Sequence, residues 1–196
     1  MTKFYDFLLT VLRPLVKVLG KIGLPSRKIT GLDYYQLISD IKIGDVLLTK
    51  TNYEMTNLVN PTDIKHAAIY IGKINESPVH YVAEMLGAGC TFTDLVTFLK
   101  NKDVLVQARP SFVRHRGNFE YGIQLAASTF KGRPYDYLFN LDGKAFYCFE
   151  LCVACFKNVY SELQLKSREV VKGKRIYDEN TFLCATFFDV VFDSRK

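Results

Sequence analysis

Between Phe146 and Tyr160 the chain is apolar on nearly every side, interrupted only by Glu150, Lys157 and Asn158. A helix with no polar face has to be covered by other elements, so this stretch is expected to form a central buried helix. With 196 residues, 48% of them apolar, the chain can surround such a helix with one sizeable core but is short for two. The expected organisation is an N-terminal amphipathic helix and linker over residues 1–30, followed by one domain over 31–196.

The covering elements can be read from their periodicity. Gly44 and Asp45 precede a buried-strand pattern, Val46 to Thr49. His66 to Gly72 and Val79 to Met85 flank the turn residues Asn75 to Pro78, which predicts an antiparallel hairpin. A short helix is expected over Thr93 to Lys100 with Thr93 as its cap, a strand over Asp103 to Ala108, and a longer helix from about Asn118 to Phe130, stopped by Gly132 and Pro134. A short amphipathic segment is expected around Leu32 to Ile38, and the tail from Thr181 to Phe192 has no assignable type. At the start of the chain, Phe4, Phe7, Leu8, Val11, Leu12, Leu15, Val16 and Leu19 recur at helical steps, with basic residues largely off that stripe. This segment either docks on protein or lies on a membrane surface. Asp6, Arg13, Pro14 and Lys17 make it a poor signal peptide or membrane span, so the chain is expected in the cytoplasm, at most peripheral to a membrane.

The net charge of +6 favours anionic contacts without naming them. Nucleic acid is not expected, because the basic residues are scattered and no zinc-finger, Walker or RNA-binding signature is present. The five cysteines, at 90, 148, 152, 155 and 184, are odd in number and three lie in the apolar stretch, which argues against a disulfide framework. Cys148, Cys152 and Cys155 share the Cys-x-x-x-Cys-x-x-Cys spacing of radical-enzyme iron–sulfur ligands, yet they lie in an apolar helical run with fewer than fifty residues following. No second Cys or His pair has zinc spacing. No metal or cofactor is expected.

One set of residues points to chemistry. A hairpin turn centred near residue 75 would place His66 directly opposite Glu84 on the same face, where a carboxylate fixes the tautomer and raises the basicity of an imidazole. Cys148 is expected in the first turn of the buried helix, where free backbone N–H groups favour a thiolate and can hold an oxyanion. Singly, each residue reads more readily as a core thiol, a strand-end histidine or a surface carboxylate. Together they have the parts for acyl-thioester chemistry.

Gly44-Asp45-Val46-Leu47-Leu48, His66-Ala67-Ala68-Ile69-Tyr70-Ile71-Gly72, Val82-Ala83-Glu84, Gly132-Arg133-Pro134-Tyr135-Asp136 and Tyr147-Cys148-Phe149-Glu150-Leu151 resemble, in this order, the motifs of the permuted NlpC-type papain-like amidases, in particular the YiiX-like branch, and more distantly the lecithin retinol acyltransferases. The resemblance implies an α+β papain-like fold, an antiparallel sheet packed on a central Cys-bearing helix. It further implies Cys148 as nucleophile, His66 as general base, Glu84 as orienting residue, Tyr135 together with the Cys148 backbone N–H as oxyanion or substrate-positioning groups, and Asp45 as a structural brace. Where the family usually has Ser after the Cys this chain has Phe149, which together with Tyr147 is expected to line the pocket. The substrate expected is a peptide amide or a lipid-linked acyl group, with an anionic membrane surface as a possible partner through residues 1–22. The rival expectation is a non-catalytic membrane- or partner-binding protein on the same fold.

Overall fold

The computed structural model describes residues 29–51, 64–74, 77–113, 115–171, 173–183 and 186–196. The amphipathic stripe of residues 1–22, Cys184 and most of the segment between the first two strands lie outside the described residues. A first helix, α1 (Gly31–Asp40), is closed at its N-terminus by a capping box in which Thr30 and Asp33 satisfy each other's backbone N–H groups. The strands β1 (Val46–Lys50), β2 (His66–Lys73), β3 (His80–Leu86) and β4 (Gly89–Asp94) follow, then the short helix α2 (Leu95–Leu99), β5 (Val104–Pro110) and α3 (Arg116–Phe130). The cysteine-bearing helix is α4 (Cys148–Val159), and the chain ends with β6 (Arg168–Val171), β7 (Lys174–Ile176), α5 (Glu179–Leu183) and β8 (Phe188–Asp193).

Six strands form one antiparallel sheet in the order β4-β3-β2-β1-β5-β8, while β6 and β7 pair separately. Side-chain alternation divides the core into two layers. Val46, Leu48, Ala67, Ile69, Ala83, Met85, Val106 and Ala108 pack on α3 and α4, whereas Leu47, Ala68, Tyr70, Val82 and Leu105 pack on α1 and α2. The all-round apolar character of α4 has a direct cause, since the sheet, α3 and the C-terminal segment all cover it. Phe156 stacks on Phe119 of α3 at 6.3 Å and meets Phe188 of β8 at 5.4 Å, and Phe149 stacks on Phe182 of α5. Each fully buried aromatic of this kind contributes about 2 kcal/mol.

Two expectations change. Residues 89–94 form a strand that was not anticipated, and the helix after it starts at Leu95 with Asp94, whose carboxylate accepts the Thr97 N–H at 2.9 Å, as its cap in place of Thr93. Alternating Cys90, Thr91, Phe92 and Thr93 pair along β3, and that pairing overrides the local helix signal. The unassigned tail resolves into α5 and β8. Asp45 is fully buried beside β1 and acts as the expected brace, accepting from the Lys42 N–H, Gln107 Nε2 and Arg109 Nε.

Gly89 begins β4 at φ +116°, and a Cβ there would lie 2.5 Å from the Arg133 carbonyl oxygen, which accepts the Cys90 N–H at 2.8 Å. This close approach ties the sheet edge to the 132–135 segment that leads to the site. Gly89→Ala is therefore expected to destabilise the protein by about 2 kcal/mol, lowering the thermal midpoint by about 5 °C. Gly117→Ala, in a helix with open space around it, should leave the midpoint unchanged or raise it in the same calorimetric comparison.

Candidate active site

His66 is the first residue of β2 and Glu84 lies in the middle of β3. Glu84 pairs with Ala68, not with His66, and a bulge between Tyr70 and Gly72 shifts the remaining pairs. The expected direct opposition becomes a diagonal one. The displacement is two residues, an even number, so the carboxylate stays on the histidine's face. His66 Nε2 lies 2.8 Å from Glu84 Oε2, with the side chains 18% and 4% exposed. Thr93 on β4 bonds the same carboxylate from the other side. The Phe98 ring of α2 stands 6.0 Å from the imidazole. Opposite His66 on β1 lies Thr49, whose buried hydroxyl has no hydrogen-bond partner among the described residues.

Cys148 is the first residue of α4, following Tyr147 as an extended N-cap. No side chain of Tyr147 caps the helix, so the first-turn N–H groups beside the sulfur are not taken by it. Glu150, at the third helical position, reaches back to the Tyr147 N–H. Cys148 Sγ lies 4.0 Å from the carbonyl oxygen of Lys65, the residue before His66. The sulfur and the histidine ring are close enough to interact electrostatically. The 134–136 segment is laid alongside Phe146 by two bonds, Asp136 N–H to Phe146 O at 2.8 Å and Phe146 N–H to Pro134 O at 3.1 Å. This pairing brings Tyr135 into electrostatic reach of Cys148. The buried Asp136 carboxylate then accepts the Leu138 and Asn140 N–H groups and shapes the following loop, where Phe139 and Leu141 adopt left-handed backbone.

These surroundings set the charges. Burial works against a proton on His66, but the contacts with Cys148 and Glu84 outweigh it and raise the imidazole from 6.5 to about 9, with Lys102 opposing. Burial pushes Glu84 up, and the bond and charge of His66 together with the Thr93 bond more than reverse this, leaving the carboxyl below its ordinary range. The Tyr135 phenol is pushed well above its usual value, first by burial and then by the charge at Cys148. A cysteine at a helix start, a half-buried imidazole that holds its proton through neutral pH, and an ionised carboxylate behind it are the components of nucleophilic acyl transfer.

Residues 40–189 match the family described as permuted papain-like amidase enzymes, YaeF/YiiX, C92. The chain belongs to this family. It is thus a papain-like cysteine hydrolase of the amidase/peptidase type. Comparison with solved structures finds the metalloprotein yiiX of Escherichia coli O157:H7, 15% identical, covering 77% of this chain and 96% of that one with a TM-score of 0.64, a likeness of fold. Comparison with curated proteins finds no match.

This C92 chain departs from expectation at the pocket wall. Tyr147 and Phe149, expected as lining, are 1% and 5% exposed and belong to the core. The Tyr147 hydroxyl donates to Tyr177 O and accepts the Tyr177 N–H, while Phe149 packs on Phe182. Helical geometry explains this, since a side chain following the N-terminal cysteine turns away from it into the apolar layer. Cys152 and Cys155 are also buried, and burial pushes their thiols up. No group of three or more His, Cys, Asp or Glu among the described residues is placed to hold a metal ion. Sequence reasoning missed Thr93 and Lys102. The first was masked by its resemblance to a helix cap, and the second carries no local signal.

Glu150 also has a measurable consequence. One of its oxygens is buried without a partner, and burial, then the charge of Asp136, raise the carboxyl from 4.5 to about 7. Because the folded value lies above the unfolded one, this group's contribution falls as pH rises from about 4.5 to about 7 and stays low beyond. Glu150→Gln, which keeps an acceptor for the Tyr147 N–H, is expected to raise the thermal midpoint at pH 8 and to converge with the native protein near pH 4.5. A difference independent of pH would contradict the assignment.

Proposed function

We propose that the chain hydrolyses an amide through an acyl-thioester on Cys148, with His66 moving the proton and Glu84 orienting the imidazole. The observation that carries this reading is the 2.8 Å His66–Glu84 pair in electrostatic reach of Cys148, the first residue of an otherwise apolar helix. The sulfur, having given its proton to His66, attacks the carbonyl carbon. The oxyanion that forms is met by the Cys148 backbone N–H and the Tyr135 hydroxyl. His66 returns its proton to the leaving amine, the C–N bond breaks, and water, deprotonated by His66, then releases the acid. Glu84 keeps Nε2 occupied, which leaves the other ring nitrogen for the sulfur.

Burial favours an amide over a lipid-linked acyl group. Of the six aromatics near the cysteine that suggested a greasy substrate, Phe146, Tyr147 and Phe149 belong to the core, leaving Tyr135, Tyr137 and Phe139 partly buried. Attachment to an anionic membrane through residues 1–22 is a companion proposal, supported by the apolar periodicity and basic residues of that segment. No helix among the described residues is long and apolar enough to cross a membrane.

The test is turnover of a fluorogenic dipeptide amide and of a short-chain phosphatidylcholine, with hydroxylamine added to trap the acyl group. Amide cleavage is expected with the acyl group released as its hydroxamate, neither in Cys148→Ala, and a loss of about 10²-fold in kcat/KM for Glu84→Gln. Full activity in Cys148→Ala would refute the assignment, and turnover of the phospholipid alone would transfer it to acyl-lipid hydrolysis.

A further inference from the structure

The mechanism does not use Lys102, yet this side chain stands beside its centre. It lies in the turn between α2 and β5, where its N–H bonds Leu99 O at 3.1 Å. Its ammonium sits 5.4 Å from the centroid of the Phe98 ring, and that ring stands 6.0 Å from the His66 imidazole. The lysine is thus held on an aromatic face at the flank of the histidine, half-buried, with its apolar stem available to the ring. Its charge is felt at both His66 and Glu84. Among the described residues it makes no ion pair, and the nearby Glu84 carboxylate is engaged by His66 and Thr93.

A cation beside a protonated histidine gains from a negative partner, and the Glu84 carboxylate that feels it is already bonded by His66 and Thr93. We propose that Lys102 selects acyl donors carrying a carboxylate next to the scissile amide. A single lysine ammonium is a point charge suited to a carboxylate, whereas phosphate sites gather several N–H donors around their oxygens. Partial burial on Phe98 reduces solvent screening, so that the contact discriminates between charged and neutral substrates. This inference rests on Cys148 being the nucleophile.

The test needs no known substrate. Iodoacetate and iodoacetamide alkylate the same thiol and differ in one carboxylate, so the ratio of their rate constants at Cys148, read by peptide mass, measures the preference for an anion. Lys102→Met, which keeps the apolar stem over Phe98, is expected to lower the iodoacetate to iodoacetamide ratio about three- to tenfold while leaving the iodoacetamide rate within about twofold. Lys102→Arg should keep the ratio, and Lys102→Glu should lower it further. An unchanged ratio in Lys102→Met with rapid iodoacetamide labelling of Cys148 would overturn the carboxylate proposal and leave the nucleophile assignment standing. If iodoacetamide labels Cys148 no faster than the buried Cys90, both fail together.

Discussion

The site depends on a charge pair placed where water barely reaches. His66 and Glu84 lie 2.8 Å apart with the carboxylate almost fully enclosed, an arrangement whose desolvation cost is offset only when each group has further partners. Glu84 gains Thr93 from the neighbouring strand, and His66 gains the Cys148 sulfur. Each partner comes from a different segment, so the pair is stable only when β2, β3, β4 and the start of α4 are all in place. The chemistry and the fold are therefore specified by the same contacts.

The rest of the structure can be understood as holding those four segments in register. The β2–β3 bulge at Tyr70 and Gly72 sets which residue of β3 reaches His66. The Asp45 carboxylate, joined to Lys42, Gln107 and Arg109, fixes the start of β1 against β5, and β1 in turn pairs with the histidine strand. On the helix side, Gly89 admits the Arg133 carbonyl, and the bonds between Phe146 and the 134–136 segment deliver Tyr135 and Cys148 to one place. The aromatic layer of Phe119, Phe156, Phe182 and Phe188 then seats α4 on the sheet.

Much of this was legible in the sequence because it rests on short-range pattern. The apolar run around Cys148, the alternation through His66 to Gly72 and the order of the motifs lead to the helix, the strand and the fold class. The features that escaped depend on pairing between distant segments. The register that sets Glu84 opposite Ala68 and not His66, like the bulge between Tyr70 and Gly72, leaves no mark in either strand taken alone, and residues 89–94 became a strand because β3 offered an edge. Tyr147 and Phe149 were expected at the pocket because they adjoin the cysteine in sequence, whereas the rotation of the helix sends them inward. Lys102 is brought to the site by the packing of α2 on the sheet, which no local motif encodes.

The central claim is that Cys148, His66 and Glu84 act as one coupled unit, and the protonation of His66 reports on it directly. Its imidazole shifts, followed by NMR across pH 5 to 10 in the native protein and in Cys148→Ala, provide the test. The account requires a titration near 9 in the native protein that moves down when the sulfur is removed. An imidazole that titrates at its ordinary value near 6.5 in both proteins would contradict it.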